Sequence, residues 1–381
     1  MDRVFFDNAS TTPIDPKVLE AMVESMKLHF GNPSSIHKEG RTARTVVEQA
    51  RRTVAKLLNV SIGEVFFTSG GTESNNMALK GAVRDLGVRR IISSPLEHHC
   101  VIASLDRLVE TDQVEIVQVP LSAKGLPDMV ALKGLLEDTD QKTMVSLMHS
   151  NNELGLMINF EEVSQMCAEH GALFHSDTVQ TMGYYPFDLE ATPAAFVTAA
   201  AHKFYGPKGV GFIYINADHQ IKPLMNGGSQ ERNMRAGTEN IYGIVGLAKA
   251  LEMAYGDLES RKSKTKEIRA YFLEELQKTV PEIELNGDPE NGHYKVLSIS
   301  FPPSPKADLL LLNLDIAGIS VSGGSACSSG AETVSHVLAT LMPDSLRKTI
   351  RFSFSHHNTK AEVDFVVKKL KEILEPTSVM T

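Results

Sequence analysis

Cysteine is scarce in this chain. There are three in 381 residues, Cys100, Cys167 and Cys327, and no two are spaced as C-x-x-C. That argues against a disulfide framework or a structural zinc site, and each thiol has to be read separately. An excess of basic charge is also missing. The 38 Lys and Arg residues are outnumbered by 47 Asp and Glu, giving a net charge of −9, so neither nucleic acid nor a membrane surface is expected as a partner. No apolar run is long enough to span a bilayer. Met1 to Thr12 carries Asp2, Arg3 and Asp7 and lacks the apolar stretch of a signal peptide, so the expectation is a cytoplasmic protein. There is no internal repeat. What is present is ordinary globular composition, 42% hydrophobic and 22% charged, at a length that suggests two domains.

The apolar pattern gives alternating strands and helices. Strands are expected at Val4 to Phe6, Glu64 to Thr68, Arg90 to Ser93, Val114 to Val119, Thr143 to Met148, Ala172 to His175, Ala194 to Thr198 and Ile213 to Ile215. Helices are expected at Lys17 to Leu28, about Glu73 to Asp85 and about Glu161 to His170. Another carries Ala43, Val46, Val47, Ala50, Val54, Leu57 and Leu58 at helical spacing, with Arg41, Arg44, Glu48, Arg51 and Arg52 read as its solvated face. A single long helix is expected from about Ile241 to beyond Lys278, then a loop over Pro281 to Tyr294 at the entry to a second domain. That domain has expected strands at Val296 to Phe301, Ile319 to Val321 and Thr349 to Ser353, and a helical stretch at Lys306 to Leu314. A last helix opens with the capping box Thr359-x-x-Glu362 and buries Val363, Val366, Val367, Leu370, Ile373 and Leu374.

Such β-α-β connections give a parallel sheet whose strand ends gather on one edge, where ligands bind in open α/β sheets. Five strands end in polar groups: Thr72 after Ser69-Gly70-Gly71, His98 with His99 and Cys100, Asn152, Asp177 with Gln180, and Lys203. The turn at Gly71 and Thr72 leads into a helix, an arrangement that offers backbone N–H groups to an anion. The stretch around His202 and Lys203, A-A-A-H-K-F-Y-G-P-K-G-V-G from Ala199 to Gly211, read alone favours a surface turn with a solvated lysine. The convergence with the other four ends favours a lysine used for Schiff-base chemistry. Asp177 and Lys203 together match what pyridoxal 5'-phosphate needs: an amine to hold it and a carboxylate to keep its ring nitrogen protonated.

The motifs S-G-G-T-E-S-N-N, E-H, N-N-E-x-G, D-x-x-Q, the lysine stretch and R-A-G-T-E-N, together with F-F-D-N-A-S-T-T-P-I-D-P near the start, resemble those of the cysteine desulfurases. These are class V, fold-type I pyridoxal-phosphate enzymes, and the likeness is to the NifS/IscS branch, from Phe5 to about Leu374. The resemblance implies an α/β fold. A large cofactor domain, residues 15–257, would have a mostly parallel central sheet flanked by helices. A smaller α+β domain, residues 1–14 and 258–381, would carry a catalytic cysteine loop at about 321–332. It implies that Lys203 holds the cofactor and later moves the Cα proton. Asp177 would pair with the ring nitrogen, Gln180 bond the phenolic oxygen, and His98 stack on the ring. Gly71, Thr72 and His202 would bind the phosphate with Thr238 of the partner subunit in a homodimer, and Asn152 and Arg351 would hold the substrate carboxylate. Ala200 departs from the pattern, because the family has serine there, and one phosphate hydroxyl is lost.

Cys327 lies in V-S-G-G-S-A-C-S-S-G, and every residue from Ser322 to Ala331 is small. Such a segment buries little apolar area and is expected to be mobile. It resembles the desulfurase loop, so Cys327 is the expected nucleophile, taking sulfur from L-cysteine as a persulfide and leaving alanine. The implied partners are L-cysteine, a second copy of the chain and a sulfur-acceptor protein, an iron–sulfur scaffold or another. Some relatives dock the scaffold through a C-terminal extension, and here the tail E-P-T-S-V-M-T is short. Other readings are a selenocysteine lyase, a class V aminotransferase, which would not need the Cys327 loop, or an idle sulfur carrier or scaffold protein. Cys167 is expected in the core, Cys100 has no assigned role, and no metal site is expected at His98, His99 and Cys100.

Overall fold

The computed structural model describes residues 3–138, 140–323 and 335–374. Cys327, and with it the expectation of a mobile loop, lies outside the described residues.

The chain opens with β1 (Val4–Phe5), α1 (Pro16–Leu28) and α2 (Lys38–Leu57). Alternation follows: β2 (Val65–Thr68), α3 (Gly71–Arg84), β3 (Arg90–Ser93), α4 (His99–Asp112), β4 (Glu115–Gln118), α5 (Met129–Glu137), β5 (Thr143–Ser146), α6 (Phe160–Glu169), β6 (Leu173–Asp177), β7 (Phe196–Ala200) and β8 (Gly211–Ile215). These strands form one seven-stranded sheet in the order β2-β8-β7-β6-β5-β3-β4. All but the edge strand β4 are buried at every position, as strands covered on both faces must be. Successive residues feed opposite cores. Phe67, Ile92 and Val145 pack with α1, α2, α5 and α6, whereas Phe66, Ile91 and Met144 pack with α3 and α4.

The sheet is mostly parallel, but β8 pairs antiparallel with both β2 and β7. The strand expected at Ile213 to Ile215 is this antiparallel member. The connection over 201–210 is too short for a crossover helix, so the chain turns back on itself. Strand β7 also runs two residues later than expected, because Ala199 and Ala200 pair with Phe212 and Gly211.

The expected single helix from Ile241 is two: α7 (Ile241–Gly256) and α8 (Leu258–Thr279), broken at Asp257, whose φ of −115° and ψ of 18° are not helical. The break has a packing cause. Ile244, Leu247 and Leu251 of α7 belong to the large core, whereas Ile268, Phe272 and Leu276 of α8 belong to a third core. That core also takes in Val4, Phe6 and the inner faces of β9 (Glu284–Asn286), β10 (Val296–Phe301), α10 (Leu310–Ile316), β11 (Ile319–Ser320), β12 (Lys348–Ser353) and α12 (Lys360–Leu374), with the short α9 (Pro305–Asp308) leading into α10. A short helix, α11 (His336–Leu341), packs apart from it. Strand β9 lies within the expected loop 281–294, and the expected helix over 306–314 is the pair α9 and α10. β9, β10 and β12 form an antiparallel sheet, and β1 pairs with β11. The capping box is present: Glu362 N donates to Thr359 Oγ1 at 3.3 Å, and Thr359 N donates to Glu362 Oε2 at 2.6 Å.

One surface expectation is corrected. Arg51 is buried, not solvated; its guanidinium forks onto Glu231, Nη1 to Oε2 at 2.7 Å and Nη2 to Oε1 at 2.9 Å, and donates to Val65 O at 2.8 Å. Glu231, Arg232 and Asn233 all have left-handed backbones, with φ of 44°, 56° and 66°. Non-glycine residues avoid that region, and a buried, fully paired side chain can hold it.

Candidate active site

Because β8 is antiparallel to both of its neighbours, β2, β7, β6, β5 and β3 all run in one direction. Their carboxyl ends therefore meet on one edge, around a cavity of about 290 Å³. Gly71, Thr72, His98, Asn152, Asp177, Gln180, His202, Lys203 and Arg351 all line it. Two sequence candidates are not brought there. Thr238 lines a separate cavity of about 180 Å³ with Ser69 and Arg235, and Cys327 is outside the described residues.

Lys203 closes the 3₁₀ turn Ala201–Lys203 that follows β7. Its Nζ donates to Ala9 O at 2.7 Å and Ser10 O at 2.8 Å, and its carbonyl accepts from Tyr184 Oη at 2.8 Å. The N-terminal segment 7–12 thus forms one side of the site. Gln180 Nε2 donates to Ala9 O at 2.9 Å, and His202 Nδ1 faces Thr11 Oγ1 at 3.1 Å. Arg351, on β12, is buried; Nη1 donates to Asn152 O at 2.6 Å, and Nη2 to Asp7 Oδ1 at 2.7 Å and Ser10 Oγ at 2.6 Å. Its Nε is buried without a partner.

Asp177 ends β6. Its Oδ1 accepts from Val179 N at 2.9 Å and its Oδ2 from Asn75 Nδ2 at 2.7 Å. His98 is the N-cap of α4, its Nδ1 accepting from Cys100 N at 3.2 Å. Burial lowers the His98 pKa; the charge of Asp177 opposes this and that of Lys203 reinforces it. Burial, with the nearby charges of Lys203, Lys208 and Lys295, lowers His202 to about 4. Glu97 behind His98 is buried and raised well above the usual carboxylate range by desolvation.

The donor set fits a phosphorylated pyridine cofactor. Helix α3 starts at Gly70 and Gly71 with no side chain capping its first turn, so its N–H groups remain for an anion. A Cβ on Gly71 would sit 2.6 Å from Val179 Cγ2, so a side chain there would close the space beside Thr72. Gln180 Oε1 is a buried polar atom without a partner. A carboxylate, an amine and an imidazole border the same space, and together these can hold a charged aromatic ring and move a proton.

Asp7, Ala9, Ser10 and Asn75 hold the site together and were not singled out from the sequence. Asn75 could have been found. It stands one helical turn beyond Gly71 and Thr72, so its side chain projects from the same face of α3. Glu153, His99 and His336 line the same cavity; Ser335 Oγ bonds the buried Glu153 carboxylate, and the His336 ring lies 4.3 Å from that of His99. No helix among the described residues is long and apolar enough to cross a membrane.

The chain matches the family model for class-V aminotransferases over residues 4–366. It is 41% identical over 378 residues to the cysteine desulfurase IscS of Dictyoglomus turgidum, covering 98% of this chain and 95% of that one. A solved structure of a NifS-like protein superposes with a TM-score of 0.89 at 36% identity, covering 98% of this chain and 99% of the other. A structure described as SspA in complex with cysteine superposes with a TM-score of 0.79 at 28% identity, covering 93% and 100%.

Proposed function

The chain belongs to the class-V aminotransferase family, and from that footing we propose the chemistry of its site: removal of sulfur from L-cysteine to give L-alanine and a persulfide on Cys327. It is a cysteine desulfurase of the kind that supplies iron–sulfur cluster assembly. The observation that carries the assignment of residues is the meeting of Lys203, Asp177 and His98, from three strand ends, on one cavity in a chain that matches cysteine desulfurases almost end to end.

Pyridoxal 5'-phosphate, when bound, supplies an electron sink for the charge left at the substrate Cα. Lys203 would attach it covalently, Asp177 would pair with its ring nitrogen, Gln180 with its phenolic oxygen, and His98 would cover the ring face. Gly71, Thr72 and His202 would take the phosphate. Arg351 and Asn152, which both line the cavity, hold the substrate carboxylate, a task suited to the planar fork of a guanidinium. Lys203, freed of the cofactor, lifts the Cα proton. The Cys327 thiolate attacks the substrate sulfur; an S–S bond forms as the Cβ–S bond breaks, the electron pair stays with Cβ, which is protonated to the methyl of alanine, and Lys203 returns a proton to Cα.

A homodimer is part of the same proposal. Leu19, Val23, Met26, Leu28, Phe30 and Ile36 are exposed along and just after α1, an apolar surface that a second copy would cover. Thr238 would then complete the partner's phosphate site. The composition of the third core supports a small domain of residues 1–14 and 258–381 beside a large one of 15–257. The acceptor of the persulfide is proposed to be a protein, an iron–sulfur scaffold or another, acting in the cytoplasm.

Incubation with L-cysteine tests the reading. One alanine per turnover and one added sulfur mapped to Cys327 are expected, and Cys327→Ser should take no sulfur. Full turnover in that variant contradicts the assignment, and faster release from selenocysteine than from cysteine would move the substrate to selenocysteine.

A further inference from the structure

Cys100 lines the cavity, and the desulfurase chemistry above gives it no part. Asn75, His98 and Thr72 all act on its sulfur. Asn75 Oδ1 accepts from Thr198 Oγ1 at 2.7 Å and meets His175 Nε2 at 3.1 Å, while His175 Nδ1 meets Ser146 Oγ at 2.9 Å. The oxygen of the Asn75 amide is thereby fixed on Thr198 and His175, which leaves both Nδ2 hydrogens for other acceptors. One goes to Asp177 Oδ2 at 2.7 Å and the other to Cys100 Sγ at 3.4 Å. A sulfur that accepts from Asn75 has its own hydrogen to give. Its near neighbour is His98 Nδ1, at 3.0 Å. The same nitrogen accepts from Cys100 N at 3.2 Å. The backbone donor requires the Nδ1 lone pair, so the imidazole proton sits on Nε2, and the thiol hydrogen is left to share that lone pair.

We propose that Cys100 is a positioning residue. Its thiol hydrogen holds His98 in the tautomer protonated on Nε2, and its sulfur, through Asn75, ties that imidazole to Asp177. The inference rests on the reading of His98 and Asp177 as the groups that face the cofactor ring. It also separates Cys100 from Cys327 by role. Cys327 works as a thiolate, whereas Cys100 works only while it keeps its proton. Burial and the charges of Asp177 and Glu97 push the Cys100 thiol up to about 12, which keeps that proton in place. Cys100 is then a donor within the sulfur-handling cavity and not a second sulfur carrier.

The sign of the effect follows from the hydrogen bond. A donor on Nδ1 favours neutral His98, so removing it raises the His98 pKa. The groups that face His98 are Asp177, Lys203, His99, His336 and Cys100, and only the last is changed in the variants. The test is a pH titration of ¹⁵N-histidine-labelled holoenzyme followed by NMR, with the His98 signal assigned through His98→Asn. Cys100→Ala should raise the His98 midpoint by about half a pH unit, the size expected for one lost neutral hydrogen bond. Cys100→Ser, which restores a donor, should return it to the native value. A Cys100→Ala midpoint equal to the native one overturns the proposal, and so does a serine variant that behaves like alanine. A second measurement needs no destabilising variant. The Raman S–H band of Cys100, taken as native minus Cys100→Ser, should lie on the low-frequency side of a free thiol; a band at the free position also overturns it. Neither readout uses turnover. A protein that released no alanine but showed both shifts would sink the desulfurase reading and leave the Cys100 contact standing.

Discussion

Arg351 Nη2 and Asp7 Oδ1 stand 2.7 Å apart, across 344 positions of sequence, and Ser10 Oγ takes the other Nη2 hydrogen at 2.6 Å. The residue proposed to hold the substrate carboxylate is thus pinned by a carboxylate of the chain itself. Removing that partner leaves a buried guanidinium undercompensated. Asp7→Ala is expected to cost about 2–4 kcal/mol of stability in urea unfolding, with Asp7→Asn costing less because its amide oxygen still accepts. No loss in the alanine variant would show that the pair does not hold Arg351.

The Arg51–Glu231 pair makes the same argument away from the cavity. Both side chains are buried, and Glu231 Oε2 also accepts from Phe67 N at 2.8 Å. Glu231→Ala should lower stability by about 3–5 kcal/mol and should release the left-handed run 231–233. Urea unfolding together with limited proteolysis near that run reads both effects.

Acid should destabilise the protein before its carboxylates titrate. Burial lowers His149 to about 4 and His175 to about 3, against about 6.5 for the unfolded chain. Between those values the unfolded chain takes protons that the native one refuses. The stabilisation is complete above about pH 6.5 and is lost as pH falls toward 4 and 3, at up to about 1.4 kcal/mol per pH unit for each histidine. His149 packs on Phe160, Tyr185 and Phe187, so His149→Phe keeps the cluster. Unfolding midpoints between pH 7.5 and 5 should show a shallower slope in that variant; an unchanged slope would exclude His149 as a source.

Ala200 Cβ lies 4.0 Å from where a Cβ on Gly71 would stand, on the wall beside the uncapped first turn of α3. Ala200→Ser puts a hydroxyl at that wall. It should tighten pyridoxal phosphate about tenfold, the value of one hydrogen bond to a charged group. Equilibrium titration of the apoprotein checks this, and unchanged affinity would mean that another donor already fills the position.

Much of this was legible because the signals are local. An apolar run that stops at a polar residue marks a strand end, and five such ends placed Thr72, His98, Asn152, Asp177 and Lys203 on one edge. What was not legible depends on partners far away in the chain. Arg51 reads as one more charge on a helix face until Glu231, 180 residues later, is brought to it. The break between α7 and α8 follows from two cores competing for one apolar stripe, which periodicity alone does not divide. The antiparallel turn of β8 follows from a connection too short for a crossover helix. Asn75 sat inside a quoted motif; its role appears only once β6, β7 and α4 surround it.

The central claim is that Lys203 is the amine that carries the cofactor. Borohydride reduction of the holoenzyme, digestion and mass mapping test it directly. The account predicts a single reduced pyridoxyl adduct on Lys203. An adduct on any other lysine, the buried Lys295 included, would contradict it.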